Sequence, residues 1–174
     1  MSTVRTFSRE FPAYHSTMGQ TYFVEKMLNV FDVDYKGEGY LKKLRELNPD
    51  KSTNVIFDFW TSLAPLPELH QRKGHTIRAG MSLKPGDLFS PRVWSGKPYR
   101  STQITFHNDI EVVKTWDFSI EDKEVKIDGN EAGLLTIQDV ANNDGLSFAD
   151  LILWFKYPTT FKGQIICWDK TIEY

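Results

Sequence analysis

The densest run of reactive side chains in the chain is Arg72-Lys73-Gly74-His75-Thr76-Ile77-Arg78. An amine, a hydroxyl and a guanidinium at this spacing can hold an anion or polarise a carbonyl, provided they meet on one face. On an extended segment alternate side chains share a face, so Thr76 and Arg78 lie together and His75 points away. Lys73 reaches that side only if the backbone bends at Gly74, which glycine permits. The plain alternative is a solvated edge strand whose charges discourage strand-to-strand aggregation.

A second cluster is Phe89-Ser-Pro-Arg92-Val-Trp94-Ser-Gly-Lys97-Pro-Tyr99. Trp94 and Tyr99 offer faces for base stacking, worth roughly 1–3 kcal/mol per base, and Arg92 and Lys97 are near for phosphate. The alternative is a buried Trp and a turn Tyr in an aromatic-rich core. The string Phe11-Pro-Ala-Tyr-His15-Ser-Thr either lines the same cleft or is a helix-entry loop capped by Ser16 or Thr17. His15, His70, His75 and His107 are too scattered for a zinc motif, and the single Cys167 excludes an internal disulfide and any multi-cysteine metal site. Cys167 sits in an apolar strand and reads as core. The chain has no phosphate-binding glycine loop and no nucleophile elbow, and no metal or cofactor is expected.

Charge frames these clusters. The whole chain carries −2 with a pI near 6.1, less basic than a protein held on long nucleic acid by phosphate contacts. Residues 69–101 nevertheless hold seven Lys or Arg against Asp87 alone, a local +6. Residues 109–150 hold eleven Asp or Glu against Lys114, Lys123 and Lys126, a local −8. Either a positive site stands on a mildly acidic body, or the two segments face each other. The aromatic content of 14% argues against disorder, and no apolar run approaches the roughly 18 residues of a membrane span. The opening MSTVRTFSREFP lacks the apolar stretch of a secretory signal, so a cytoplasmic protein is expected.

The elements that must position these groups are legible as patterns. Val4 to Phe11 reads as extended up to Pro12. Phe23, Val24, Met27 and Leu28 share a helix face, as do Leu41, Leu44 and Leu47 before Pro49. Ser52 caps a third helix carrying Ile56, Phe59, Trp60 and Leu63, ended by Pro65 and Pro67. Strands follow at His75–Ala79 and Leu88–Trp94, around the Lys84–Asp87 and Ser95–Pro98 turns. Ile104 with Phe106 continue the alternation. Asp109 to Asp122 reads as one long strand, and Val125 with Ile127 as another. Thr136 to Asp139 resembles a capping box opening a helix, and Ser147 to Asp150 repeats it. Asn142-Asn-Asp-Gly145 is a tight link with Gly145 suited to positive φ. Gln164–Trp168 closes the chain as an apolar strand. A mostly antiparallel sheet interrupted by helices is α+β, with a small barrel as the expected form.

Lys73-Gly-His-Thr76-Ile-Arg78, then Gly86-Asp87, then two helices split by an Asp-Gly turn and a closing apolar strand, together resemble the ASCH domain. The resemblance covers about residues 69–170; residues 1–68 have no counterpart in its minimal pattern. It implies a PUA-like β-barrel with flanking helices, here with an N-terminal helical extension over 1–68 and the barrel domain over 69–174. It also implies a link to RNA and modified nucleosides. One branch, the small bacterial acetylcytidine amidohydrolases, places a catalytic lysine and threonine in the same string, which implies Lys73 and Thr76. Its glutamate aligns with Asp144, one methylene shorter. There the resemblance implies a desolvated Lys73 as base, Thr76 as nucleophile, and Asp144 handling protons or orienting Lys73. The plain reading of Asp144 is a helix-terminal turn residue.

The expectation is therefore an ASCH-like protein that binds RNA or a modified nucleotide in a basic cleft built by Arg78, Arg92, Trp94, Lys97 and Tyr99. The alternatives are an amidohydrolase on an acylated nucleoside such as N-acetylcytidine, using Lys73, Thr76 and Asp144, and an interaction module whose cleft is filled by residues 1–68. No membrane partner is expected.

Overall fold

A computed structural model describes residues 2–16, 19–66, 72–80, 82–157 and 159–174. The expected cap at Thr17, the stop at Pro67 and the side chain of His70 lie outside them. The class is α+β, with five helices and two sheets among the described residues.

The first strand, β1 (Thr3–Phe7), pairs in parallel with β3 (Leu88–Trp94), placing Thr6 opposite Arg92. β4 (Gln103–Thr105) and β5 (Ile110–Glu111) both pair antiparallel with β3 and complete this sheet. The second sheet runs in the order β2 (His75–Ala79), β9 (Phe161–Cys167), β6 (Lys114–Glu121), β7 (Glu124–Ile127), β8 (Asn130–Glu131), all antiparallel. Among the described residues, backbone pairing does not close the strands into one barrel.

The single strand expected over Asp109–Asp122 is two strands in different sheets. At Val112 and Val113 the backbone changes partners. Val112 N–H donates to Asp87 O at 2.9 Å, and Val113 N–H donates to Cys167 O at 2.8 Å. Alternation is continuous through such a corner, so the period could not reveal it.

The helices are α1 (Phe23–Val30), α2 (Glu38–Leu47), α3 (Thr53–Ser62), α4 (Leu134–Asn143) and α5 (Phe148–Trp154). Ser52 and Ser147 cap α3 and α5, their hydroxyls accepting from Val55 N–H and Asp150 N–H. The expected start of α4 at Thr136 is corrected: the helix begins at Leu134 behind Gly133, with no side-chain cap. Thr136 is inside the helix, where its hydroxyl cannot serve as the cap. None of these helices is long and apolar enough to cross a membrane.

Residues 1–68 and the rest of the chain share one core. Phe7 of β1 meets Phe89, Phe106 and Trp168, with ring centroids 6.4, 5.9 and 6.0 Å away. Val24, Met27 and Leu28 of α1 are fully buried in the same cluster. The aromatic edges and tilted contacts give more than area burial alone, about 0.5–1.5 kcal/mol per pair.

Candidate active site

The link between α4 and α5 is a Schellman ending. Gly145, at φ +74°, donates from N–H to Asn142 O at 3.0 Å, and Leu146 N–H donates to Ala141 O at 2.9 Å. This leaves Asp144 as the last residue of the turn, 6% exposed. The entry to β2 runs beside it. Gly74 N–H donates to Asn143 O at 2.9 Å, and Trp168 N–H donates to Gly74 O at 3.0 Å. A Cβ on Gly74 would lie 2.6 Å from Ile172 Cδ1 and 2.9 Å from Asp169 Cβ; the isoleucine tip could move, but the Asp169 Cβ is fixed to its backbone, which favours glycine here.

Lys73 is thereby aimed at the end of α4. Its Nζ lies 2.5 Å from Asp144 Oδ1 and donates to Asp144 O at 2.8 Å. One ammonium thus satisfies a carboxylate and an orphan carbonyl at the negative end of a helix dipole. Nζ also sits 4.1 Å from the Phe23 ring centroid. Lys73 is 1% exposed. Burial pushes its amine down, against the attraction of Asp144, and pushes the Asp144 carboxyl up, against the attraction of Lys73. Both groups are moved towards sharing a proton.

Around this pair lies a cavity of about 470 Å³ whose walls include Thr76, Arg78, Trp94 and Tyr99 as well as Lys73 and Asp144. Arg78 donates from Nη2 to Thr6 O at 2.7 Å, with its guanidinium carbon 5.2 Å from the Phe7 ring centroid. Its buried Nε has no hydrogen-bond partner among the described residues. Such a donor is costly to leave unpaired.

His75 lies on the opposite face of β2 from Thr76 and Arg78, fully buried. Asn143 Nδ2 donates to Tyr174 Oη at 3.0 Å, and that hydroxyl is 2.8 Å from His75 Nε2. With Asn143 on its acceptor side, Tyr174 donates to Nε2, which leaves the ring proton on Nδ1, 3.6 Å from Asp144 Oδ1. Burial, then the charge on Lys73, pushes the imidazole well below its ordinary range, so it is neutral. At 3.6 Å this is a charge–dipole contact and not a hydrogen bond, so His75 packs behind Asp144 without anchoring it.

Trp94 and Tyr99 form the rim, with ring centroids 5.4 Å apart. Tyr99 is 89% exposed and holds φ at +61°. Lys97 does not line the Lys73 cavity. It lines an adjoining one of about 380 Å³ that shares the Phe7, Ser8, Trp94 and Pro98 walls. Arg92 lines neither cavity. Its Nε reaches Ser90 Oγ at 3.5 Å, and with the nearer Lys51 it helps hold the exposed Asp50 carboxyl below its usual range. Arg92 was expected near Trp94 and Tyr99 to serve phosphate, but closeness along the chain does not bring it to either cavity wall.

Pattern reading missed Lys26 and Phe23. Both come from α1, where Lys26 is 5% exposed and its Nζ donates to Gly145 O at 2.7 Å. A lysine beside Met27 and Leu28 on an apolar helix face was the signal. No group of three or more His, Cys, Asp or Glu among the described residues is placed to hold a metal ion.

No family model, no curated protein and no solved structure matches this chain. The site therefore has to be read from its own chemistry.

Proposed function

We propose that this chain is an ASCH-like protein that binds RNA or a modified nucleotide, one nucleoside unit at a time, in the Lys73–Arg78 cavity. In this reading the two sheets correspond to an opened PUA-like barrel. The observation that carries it is the meeting of Lys73, Thr76 and Arg78 in the wall of one cavity with an aromatic rim of Trp94 and Tyr99. Lys26, Lys73 and Arg78 also gather three cations around Asp144, which favours a ligand with carbonyl or anionic oxygen. Trp94 and Tyr99 supply the stacking face. A thermal-shift and calorimetric screen of nucleosides, nucleotides and short single-stranded RNAs tests the reading. Saturable binding that is lost in Arg78→Met supports it; no binding by any of these classes defeats it.

One observation favours a second reading, hydrolysis of the acyl amide of an acylated nucleoside such as N-acetylcytidine. It is the 2.5 Å contact of Lys73 with Asp144 beside Thr76 in the cavity wall. Neutral Lys73 takes the proton of the Thr76 hydroxyl as its oxygen adds to the acyl carbonyl. The C–N bond then breaks, and the Lys73 ammonium returns that proton to the leaving amine. Water, deprotonated by Lys73, cleaves the resulting threonyl ester, releasing the carboxylic acid and restoring Thr76. Asp144 keeps Lys73 oriented and moderates its charge. Arg78 faces the oxygen on which charge develops. Release of acetate from N-acetylcytidine, abolished in Thr76→Val while binding persists, is the expected result.

A further inference from the structure

We infer that Lys26, in the N-terminal third, is a positioning residue of the Lys73–Asp144 site: its ammonium holds the turn that carries Asp144, and its backbone carbonyl holds the strand entry that carries Lys73. The inference rests on the site described above, whichever ligand that site takes.

Three contacts tie α1 to the turn. Lys26 Nζ donates to Gly145 O at 2.7 Å, one peptide beyond Asp144. Lys26 O accepts from Lys73 N–H at 3.2 Å, at the entry to β2. A Cβ on Gly145 would lie 3.0 Å from Lys26 Cδ and 3.4 Å from Lys73 Cβ, so the aliphatic stems of both lysines pack on that glycine. One residue thus fixes, from a separate helix, both the strand entry that carries Lys73 and the turn that carries Asp144. Lys26 does not line the cavity, so it acts on a ligand only through these two residues.

Its charge has a second consequence. Burial, then repulsion from Lys73, pushes the Lys26 amine down to about 8, while Asp150, Glu25 and Asp144 act in the opposite sense. Around Lys73 stand Asp144, with which it shares a hydrogen bond, and Arg78; neutral His75 also faces Asp144. Two buried ammoniums near one carboxylate cannot both stay charged without loss, and Lys26 is the one its neighbour pushes down.

The test is amide exchange by NMR in the wild-type chain and in Lys26→Met, Lys26→Gln and Lys26→Arg. Lys26→Met should speed exchange at Gly145 and Leu146 at least about tenfold, while β6 amides keep their protection. Lys26→Gln keeps a donor on a shorter stem and should fall between wild type and Lys26→Met. Lys26→Arg keeps the donor and its reach and should restore the wild-type rates, which a purely space-filling role, already met by methionine, would not require. Unchanged exchange at Gly145 and Leu146 in a folded Lys26→Met overturns the inference, as does a Lys26→Arg that exchanges no more slowly than Lys26→Met. Because the readout needs no ligand, it is separate from the nucleoside screen: failure of that screen removes the proposed function, and failure of the exchange test removes the role of Lys26.

Discussion

The floor and the rim of the cavity are built on opposite plans. On the floor, Lys73 is 1% exposed and its charge, backbone and neighbours are all engaged by α1, α4 and β9. On the rim, Tyr99 is 89% exposed on a hairpin loop held by short local bonds such as Ser101 Oγ to Lys97 O at 2.9 Å. The difference teaches which substitutions can separate stability from function. A floor residue carries both, because its chemistry and its packing use the same contacts. A rim residue is free of the core, and in the proposed function it would carry binding alone.

The sharpest way to break that contrast is at Asp144. Asp144→Ala leaves the Lys73 ammonium buried without its carboxylate, which costs on the order of 3–5 kcal/mol. The double variant Lys73→Met/Asp144→Leu removes both charges and should recover much of that loss. Urea denaturation of the two checks this. Equal stability of Asp144→Ala and wild type would mean that the pair is not the anchor of the floor.

On the rim the expected effect is on the ligand. Tyr99→Gly should weaken nucleoside binding by about 5- to 150-fold, the equivalent of 1–3 kcal/mol of stacking. The same change relieves a non-glycine residue held at φ +61°, so stability should hold or rise by about 1 kcal/mol. Calorimetric titration beside thermal melts reads both at once. A loss of stability as large as the loss of binding would erase the distinction between rim and floor.

The floor should also respond to acid. The folded His75 is pushed well below its ordinary 6.5, so as pH falls below 6.5 the unfolded chain takes up a proton that the folded chain refuses. Stability then falls on acidification, by at most about 1.4 kcal/mol per pH unit from this one group. Asp144, pushed up by burial, works in the opposite sense, because the folded chain there binds its proton first. His75→Gln isolates the histidine: urea midpoints at pH 7.5 and 5.5 should differ less in the variant than in the wild type. An unaltered difference would assign the acid sensitivity elsewhere.

Much of this arrangement was legible because local rules and tertiary contacts agree. Ser147 fits a cap, Gly145 fits a left-handed position, and His75–Ala79 and Leu88–Trp94 alternate as strands do; each was readable without neighbours. Asp144 was readable as a turn residue from its Asp-Gly pair, while its pairing with Lys73 was only what the resemblance implied; the Schellman geometry makes it both. What was not legible depends on contacts between distant segments. The corner at Val112–Val113 leaves no trace in the alternation. The role of Lys26 depends on Gly145 O, a partner 119 residues away in the chain. The place of Arg92 required knowing where the cavity mouth opens along β3.

Arg92 and Lys97 give the smallest and most discriminating effect. Both were expected to serve phosphate, yet Lys97 lines the adjoining cavity while Arg92 lies by Ser90 and towards Asp50. A lone exposed lysine contributes through a screened charge, so its removal should cost a few-fold in affinity, of the order of 1 kcal/mol or less. Lys97→Ala should therefore weaken a nucleoside monophosphate by that amount and leave the parent nucleoside unchanged. Arg92→Ala should change neither. The salt dependence gives a second measure: the difference between monophosphate and nucleoside should shrink with added salt in wild type and Arg92→Ala, and be nearly flat in Lys97→Ala. If Arg92→Ala lost the monophosphate preference instead, the ligand would extend along β3 towards the α2–α3 link, and the rim would have to be redrawn on that side.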